Sequence, residues 1–283
     1  MEKKRVHLNV FLKLKIPVPP ITQSKKIDAI LSSVDEAIAF THAVIDQTRK
    51  VKQGLLQQLL TRGIGHTKFK ESTIGEIPEV WEVRKLSEIA IVSYGLTVNQ
   101  SRRESKNKVP YLTVANTNGS GFNLNEVKTI GILEGDAERY CLKYGDLLLI
   151  EGNGNKKYLG LPSMWRGELP FVLHQNHLIR VRVSDRNINS EWILFCLEVS
   201  KYRSQILREV KTSSGLHTIN SRVVSDVLVP VPVSSEQERI LQFIRSIIEE
   251  IDTESHKLVQ LQQLKRGLMQ DLLTGKVRVG CTP

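Results

Sequence analysis

The sequence predicts an α+β chain: one mixed α/β domain flanked by two long heptad-patterned helices. Three observations carry this. A segment near the N-terminus recurs near the C-terminus at a constant offset of 213 residues. Both copies place apolar residues at alternating spacings of four and three. The stretch between them is broken into short β-rich runs bounded by Gly, Asn and Pro.

The repeat comes first, because a repeat dictates architecture. Pro17-Val18-Pro19 returns as Pro230-Val231-Pro232, Gly54-Leu55 as Gly267-Leu268, and Leu59-Leu60-Thr61 as Leu272-Leu273-Thr274. From Pro17 to Thr61 no gap is needed, and 15 of 45 positions are identical. A 213-residue period is too long for a solenoid and suits a duplicated module of one domain plus one connecting helix. With 283 residues, the chain reads as one full period plus 70 residues of another.

The first helix carries its seam at Ile27, Leu31, Val34, Ile38, Thr41, Ile45, Thr48, Lys52, Leu55 and Leu59. The second carries Ile240, Ile244, Ile247, Ile251, Glu254, Leu258, Leu261, Lys265, Leu268 and Leu272 in the same register. Such matched seams suit a mutual coiled coil, with core helices of a larger bundle as the other reading. Polar Thr41/Glu254 and Lys52/Lys265 interrupt both seams at the same depth, a device that sets register. Ser235 and Glu238 have capping-box spacing in the second copy. Gly63 and Gly275 stand where a left-handed cap closes a helix. Gly54 and Gly267, within the pattern, suggest close helix approach or a kink. About 38 residues at 1.5 Å each make a rod of roughly 57 Å.

Between the helices, Trp81–Leu86, Val109–Val114, Gly145–Ile150 and Leu178–Val183 read as strands. Trp192, Cys196, Val199, Tyr202 and Ile206 fall at helical spacing, so Ser190–Val210 reads as one helix packed on the sheet. About 160 residues suffice for an independent core.

Composition excludes several classes. Hydrophobic residues make up 40% and charged residues 25%, as in globular proteins. No apolar run approaches the roughly 18–20 residues of a membrane span, and the start has no signal-peptide core. Cys141, Cys196 and Cys281 are scattered and odd in number, which suits a reducing cytoplasm. There is no GxxxxGK[ST] loop and no Asp/Asn-Pro-Pro-aromatic tetrapeptide; Val18-Pro19-Pro20-Ile21 lacks both end residues. Gly152-Asn153-Gly154 reads as a turn, and His174 and His177 stand at HxxH spacing without a third ligand nearby. The net charge of +10 permits a polyanionic partner, but it divides as +6 in residues 1–67, +4 in 68–228 and 0 in 229–283.

Several motifs, in order, resemble a known family. Ile74-Gly75-Glu76-Ile77-Pro78-Glu79-Val80-Trp81-Glu82-Val83 resembles the opening of a target-recognition domain in the specificity subunit of type I restriction–modification enzymes. Leu142-Lys143-Tyr144-Gly145-Asp146-Leu147-Leu148 is similar to that family's internal Gly-Asp-apolar strand. Gly215–Asn220 through Val229-Pro230-Val231-Pro232, Glu236-Gln237 and Ile240, and then Lys265–Gly275, resemble the domain's end and the conserved helix. The resemblance covers essentially the whole chain. It implies two helices paired as an antiparallel coiled coil, holding apart domains that each read half of a bipartite DNA site. It implies that catalysis resides in partner methyltransferase subunits and a translocating nuclease subunit. S-adenosylmethionine, ATP and Mg are then expected only in those partners, with no cofactor in this chain. A freestanding DNA-modifying enzyme and a coiled-coil scaffold without DNA readout are the competing readings.

The expected organisation is residues 1–16 as the terminal strand of a missing first recognition domain, 17–63 as the first helix, 64–232 as the recognition domain, 233–275 as the second helix and 276–283 as a tail. The chain departs from the family pattern in lacking that first domain. Ser24 also stands where the second copy has Gln237. A second copy of the chain, or another chain supplying the missing domain, is therefore an expected partner, and a non-functional or split-gene fragment is the alternative.

DNA reading needs cations for phosphates and polar side chains for base edges. Four loop segments supply them: Arg102, Arg103, Lys106 and Lys108; Asn153, Asn155, Lys156, Lys157 and Tyr158; His174, Gln175, Asn176 and His177; and Lys211, Ser213 and Ser214, leading to His217.

Overall fold

The computed structural model describes residues 12–13, 16–119, 121–213 and 215–280. The strand expected over residues 1–16 falls largely outside them, as do Ser214 and the side chain of Ser213. The chain divides into two compact units, one comprising residues up to Lys52 and from Ser246 onward, the other Gln53–Arg245.

Two long helices, α1 (Ile21–Arg62, 42 residues) and α8 (Ser234–Leu273, 40 residues), form as the heptad pattern predicts. Every seam position named above is buried or half-buried in both helices. Thr41, the polar interruption of the first seam, is only 1% exposed. Within the first unit, Lys265 Nζ reaches Asp35 Oδ1 at 2.5 Å and Lys26 Nζ reaches the Gly280 carbonyl at 2.9 Å.

Helix closure follows the glycines. Gly63 has φ +65° and Gly275 φ +74°, and the Gly63 N–H donates to Leu59 O at 3.1 Å. Gly63 is also required by space, since a Cβ there would lie 2.5 Å from Glu236 Oε1 and 2.7 Å from the Trp81 ring. The glycines within the pattern differ from expectation. A Cβ at Gly54 or Gly267 would meet nothing within 4 Å, and both helices run through unbroken. Neither glycine marks a close approach, and neither interrupts its helix. The Ser235–Glu238 capping box does not form either. Ser235 lies inside α8, and the Glu238 carboxylate is taken by Arg245 Nη1 at 2.7 Å.

The second unit holds the mixed α/β fold. In chain order its elements are β1 (Phe69–Lys70), β2 (Ile77–Pro78), β3 (Glu82–Lys85), α2 (Leu86–Ile89), β4 (Ala90–Tyr94), α3 (Gln100–Glu104), β5 (Lys108–Leu112), β6 (Lys128–Gly131), α4 (Asp136–Tyr140), β7 (Leu147–Ile150), β8 (Gly152–Asn153), β9 (Pro162–Met164), β10 (Leu173–His174), β11 (Leu178–Val183), α5 (Ser190–Glu198), α6 (Ser200–Arg208), β12 (Lys211–Ser213), β13 (Leu216–Thr218), α7 (Ser221–Ser225) and β14 (Leu228–Val231). The central sheet has order β4-β11-β7-β9 and is antiparallel throughout. All four residues of β7 are buried, so this strand is covered on both faces, as its unbroken apolar run requires. Leu148, Ile150, Trp165, Val172 and Leu178 form one core cluster over it.

The helix expected over Ser190–Val210 is two helices. Val199 breaks it with φ −71° and ψ 128°, while its N–H still donates to Phe195 O and Cys196 O. All five residues of the expected apolar face, Trp192, Cys196, Val199, Tyr202 and Ile206, are nevertheless buried. The bend lets two short helices each turn an apolar face inward. Trp192 donates to Pro230 O at 2.8 Å and Tyr202 to Leu60 O at 2.6 Å, so the polar tips of both these aromatics are paired.

The residues following β14 lock the start of α8 to this body. Gln237, 1% exposed, accepts from the Asn189 N–H at 3.0 Å and donates to Asn187 O at 3.0 Å and Pro232 O at 2.9 Å. Glu236 accepts from Trp81 Nε1 at 2.9 Å and from the Ile64 N–H at 3.2 Å, and lies 2.7 Å from His66 Nε2. One period earlier Ser24 makes only the shorter form of this link, donating to Pro19 O at 3.3 Å.

Candidate nucleic-acid interface

Two small sheets position the four polar segments. The sheet of order β10-β5-β6 carries the segments around residues 100–108 and 174–177. The sheet of order β12-β13-β8 brings residues 151–158 beside 211–213 and 216–218, pairing His217 with Asn153 and Thr218 with Gly152. Gly152–Asn153 is thus a short strand, where a turn was expected. The tertiary pairing with β13 extends a backbone that the glycines leave permissive.

Residues 151–158 form a chain of local caps. Asn153 Oδ1 accepts from the Asn155 N–H at 2.8 Å, and Asn155 Oδ1 from the Lys157 N–H at 3.0 Å. This leaves Lys156, Lys157 and Tyr158 exposed on a short 3₁₀ turn. Lys211 is exposed at the start of β12, and Thr212 Oγ1 lies 2.9 Å from His217 Nδ1. His177 joins this group from the other sheet, with its Nδ1 2.7 Å from Glu151 Oε2. An open cleft of about 530 Å³ lies here, bordered by Glu151, His177, Lys211, Leu216 and Thr218 among others.

Two expected DNA contacts are corrected. Arg102 is only 7% exposed. Its guanidinium pairs with the Asp136 carboxylate, which it holds below the usual carboxylate range, and it also donates to Gly131 O at 3.3 Å. It joins α3 to the β6–α4 turn, and its guanidinium is committed inside the fold. His174 is 0% exposed, with Nδ1 2.9 Å from Tyr140 O, and burial pushes its pKa down to about 4. It is a neutral core group at neutral pH. Arg103, Lys106 and Lys108 are exposed. Gln175 and Asn176 are half-buried, and their backbone N–H groups donate to Leu112 O and Leu96 O at 2.9 Å each. The two histidines of the HxxH spacing serve different partners. Among the described residues no group of three or more His, Cys, Asp or Glu could hold a metal ion.

The Gly-Asp-apolar segment has a structural explanation. Gly145 has φ +89°, and Asp146, 1% exposed, accepts from the Lys143 N–H at 2.8 Å. Arg182 on β11 binds both Asp146 oxygens, at 2.7 and 2.6 Å. The pair staples the entry of β7 to its neighbour strand and so fixes the base from which residues 151–158 project. Glu151, Thr212 and Leu216 were absent from the sequence-derived set. Glu151 was findable as the first polar residue after the buried β7 run. Thr212 and Leu216 become relevant only through strand pairing.

The chain is similar to known proteins. Residues 78–263 match the family described as the type I restriction modification DNA specificity domain. The type I restriction enzyme MjaVIII specificity subunit of Methanocaldococcus jannaschii is 30% identical across 97% of this chain and 64% of its own length. The EcoKI specificity subunit of Escherichia coli is 24% identical across 94% of this chain and 57% of its own. Among solved structures, the HsdS subunit from Thermoanaerobacter tengcongensis aligns with TM-score 0.58 at 15% identity, covering 93% of this chain and 60% of that one. A structure from a type I R-M system aligns with TM-score 0.63 at 16% identity, covering 93% and 62%. The chain thus spans less than two thirds of the length of these relatives. With two thirds of its residues inside the family match, the chain belongs to the type I restriction modification DNA specificity domain family.

Proposed function

We propose that this chain reads DNA sequence as a specificity subunit and directs type I methyltransferase and restriction subunits to a bipartite site. The observation that carries this is the convergence of residues 151–158, His177 and strands β12 and β13 on one surface in a body of this family. In this reading Lys156, Lys157, Lys211, Arg103, Lys106 and Lys108 meet phosphates, and Asn153, Asn155, Gln175, Asn176 and His177 meet base edges. The chain recognises and does not catalyse; S-adenosylmethionine, ATP and Mg belong to the partner subunits. It works in the cytoplasm. No helix among the described residues is long and apolar enough to cross a membrane.

In this reading α1 and α8 pair as an antiparallel coiled coil. The Asp35–Lys265 and Lys26–Gly280 contacts, with partners running in opposite chain directions, and the half-buried seams support it. A second recognition body covers the first copy of the repeat. Ile16 is 76% exposed where its counterpart Val229 is 0% exposed on β14, and Val18 is 82% exposed. A second copy of this chain, or another body of the same fold, meets that requirement. Mass measurement with and without the methyltransferase subunits separates the two.

The test of function is the set of adenine methylation motifs in cells with and without this chain. Loss of one bipartite motif is expected; an unchanged set overturns the proposal.

A further inference from the structure

Glu151 is a carboxylate on the cleft that Lys211 and His177 also border. It follows β7 directly, and its backbone is tied on both sides: its N–H donates to His177 O at 3.0 Å, and its carbonyl accepts from the Ile219 N–H at 2.8 Å. Its side chain is held with Oε2 2.7 Å from His177 Nδ1, and its Oε1 has no hydrogen-bond partner among the described residues. Lys211 borders the same cleft, Lys156 and Lys157 lie on the segment it leads into, and Glu209 is the other acid of the lining.

A carboxylate fixed on a surface that meets a polyanion is repelled by phosphate. His177 engages Oε2, and the open Oε1 is favourable there only where it too accepts a hydrogen bond. In the major groove the donors are adenine N6 and cytosine N4, whereas guanine and thymine present acceptors. We propose that Glu151 is a specificity-determining residue that accepts from the exocyclic amino group of one base in the site. Leu216, 47% exposed in the same cleft, supplies the apolar contact that suits a thymine methyl. An A·T pair is therefore the favoured partner and C·G the other outcome that keeps the assignment. The inference rests on the DNA-reading function proposed above.

The experiment is selection of binding sites from a pool of randomised duplexes by the full chain, wild type against Glu151→Ala and Glu151→Gln, with melting curves confirming that both variants fold. Wild type should enrich one motif. The alanine variant should lose about tenfold discrimination at a single A·T or C·G pair. The glutamine variant, which can also donate, should accept a different base there. If both variants enrich the wild-type motif with undiminished discrimination, Glu151 reads nothing and the inference falls while the DNA-reading function stands. If wild type itself enriches no motif, the function and the inference fall together.

Discussion

The Arg102 guanidinium lies against the Asp136 carboxylate, with Nη2 2.9 Å from Oδ1, and both side chains are under a tenth exposed. Asp136 also accepts from the Leu133 N–H at 2.7 Å, so one ion pair closes the β6–α4 turn and anchors α3. Removing one partner of a buried pair leaves an uncompensated charge. Arg102→Ala is expected to destabilise the fold by about 3–5 kcal/mol in denaturant unfolding. Its exposed neighbour behaves differently: Arg103→Ala should change stability by no more than about 0.5 kcal/mol and should weaken DNA binding. Equal destabilisation by the two variants would contradict this division of labour.

His174 makes stability depend on pH. Burial holds its folded pKa at about 4, against an ordinary value of 6.5, with Arg180 and Arg182 lowering it and Asp146 opposing. Between those values the unfolded chain binds the extra proton. Stability from this group is therefore full above pH 6.5 and is lost as pH falls toward about 4. The span corresponds to roughly 3 kcal/mol. Unfolding free energies at pH 7 and pH 5 should differ less in His174→Gln than in wild type; an identical pH slope would sink the assignment.

Glu236 serves the Ile64 N–H, His66 and Trp81 Nε1 at once. Glu236→Ala leaves the buried indole N–H without an acceptor and should cost about 3 kcal/mol. Glu236→Gln, which keeps one acceptor oxygen, should fall between wild type and alanine. Tryptophan fluorescence during unfolding reads both, and a glutamine variant less stable than alanine would show that the carboxylate's hydrogen bonds are not what matters.

The cations beside the cleft give a salt signature. Replacing Lys156, Lys157 and Lys211 together by alanine should weaken binding to all duplex sequences. The slope of log affinity against log salt should fall by about 2.7, close to 0.9 for each lost phosphate contact. An unchanged slope would place the DNA on another face.

The sequence by itself determined the 213-residue repeat, the two long helices, their glycine stops, four of the strands and the buried face of Ser190–Val210. These follow from hydrophobic period and turn chemistry, which are local and written along the chain. The family resemblance followed from the order of those same pieces. Only the tertiary structure decided which of the polar residues are available. Arg102 and Arg103 are adjacent and alike in sequence, yet Asp136, 34 residues away, buries one of them. His174 is withdrawn and His177 presented because β10 pairs with β5 while the chain beyond it turns back toward Glu151. The strand formed by Gly152–Asn153 likewise exists only because β13 lies beside it. Periodicity tells which face of an element is apolar, but the burial of a charge depends on a partner supplied from elsewhere in the fold, and that pairing has no local signature.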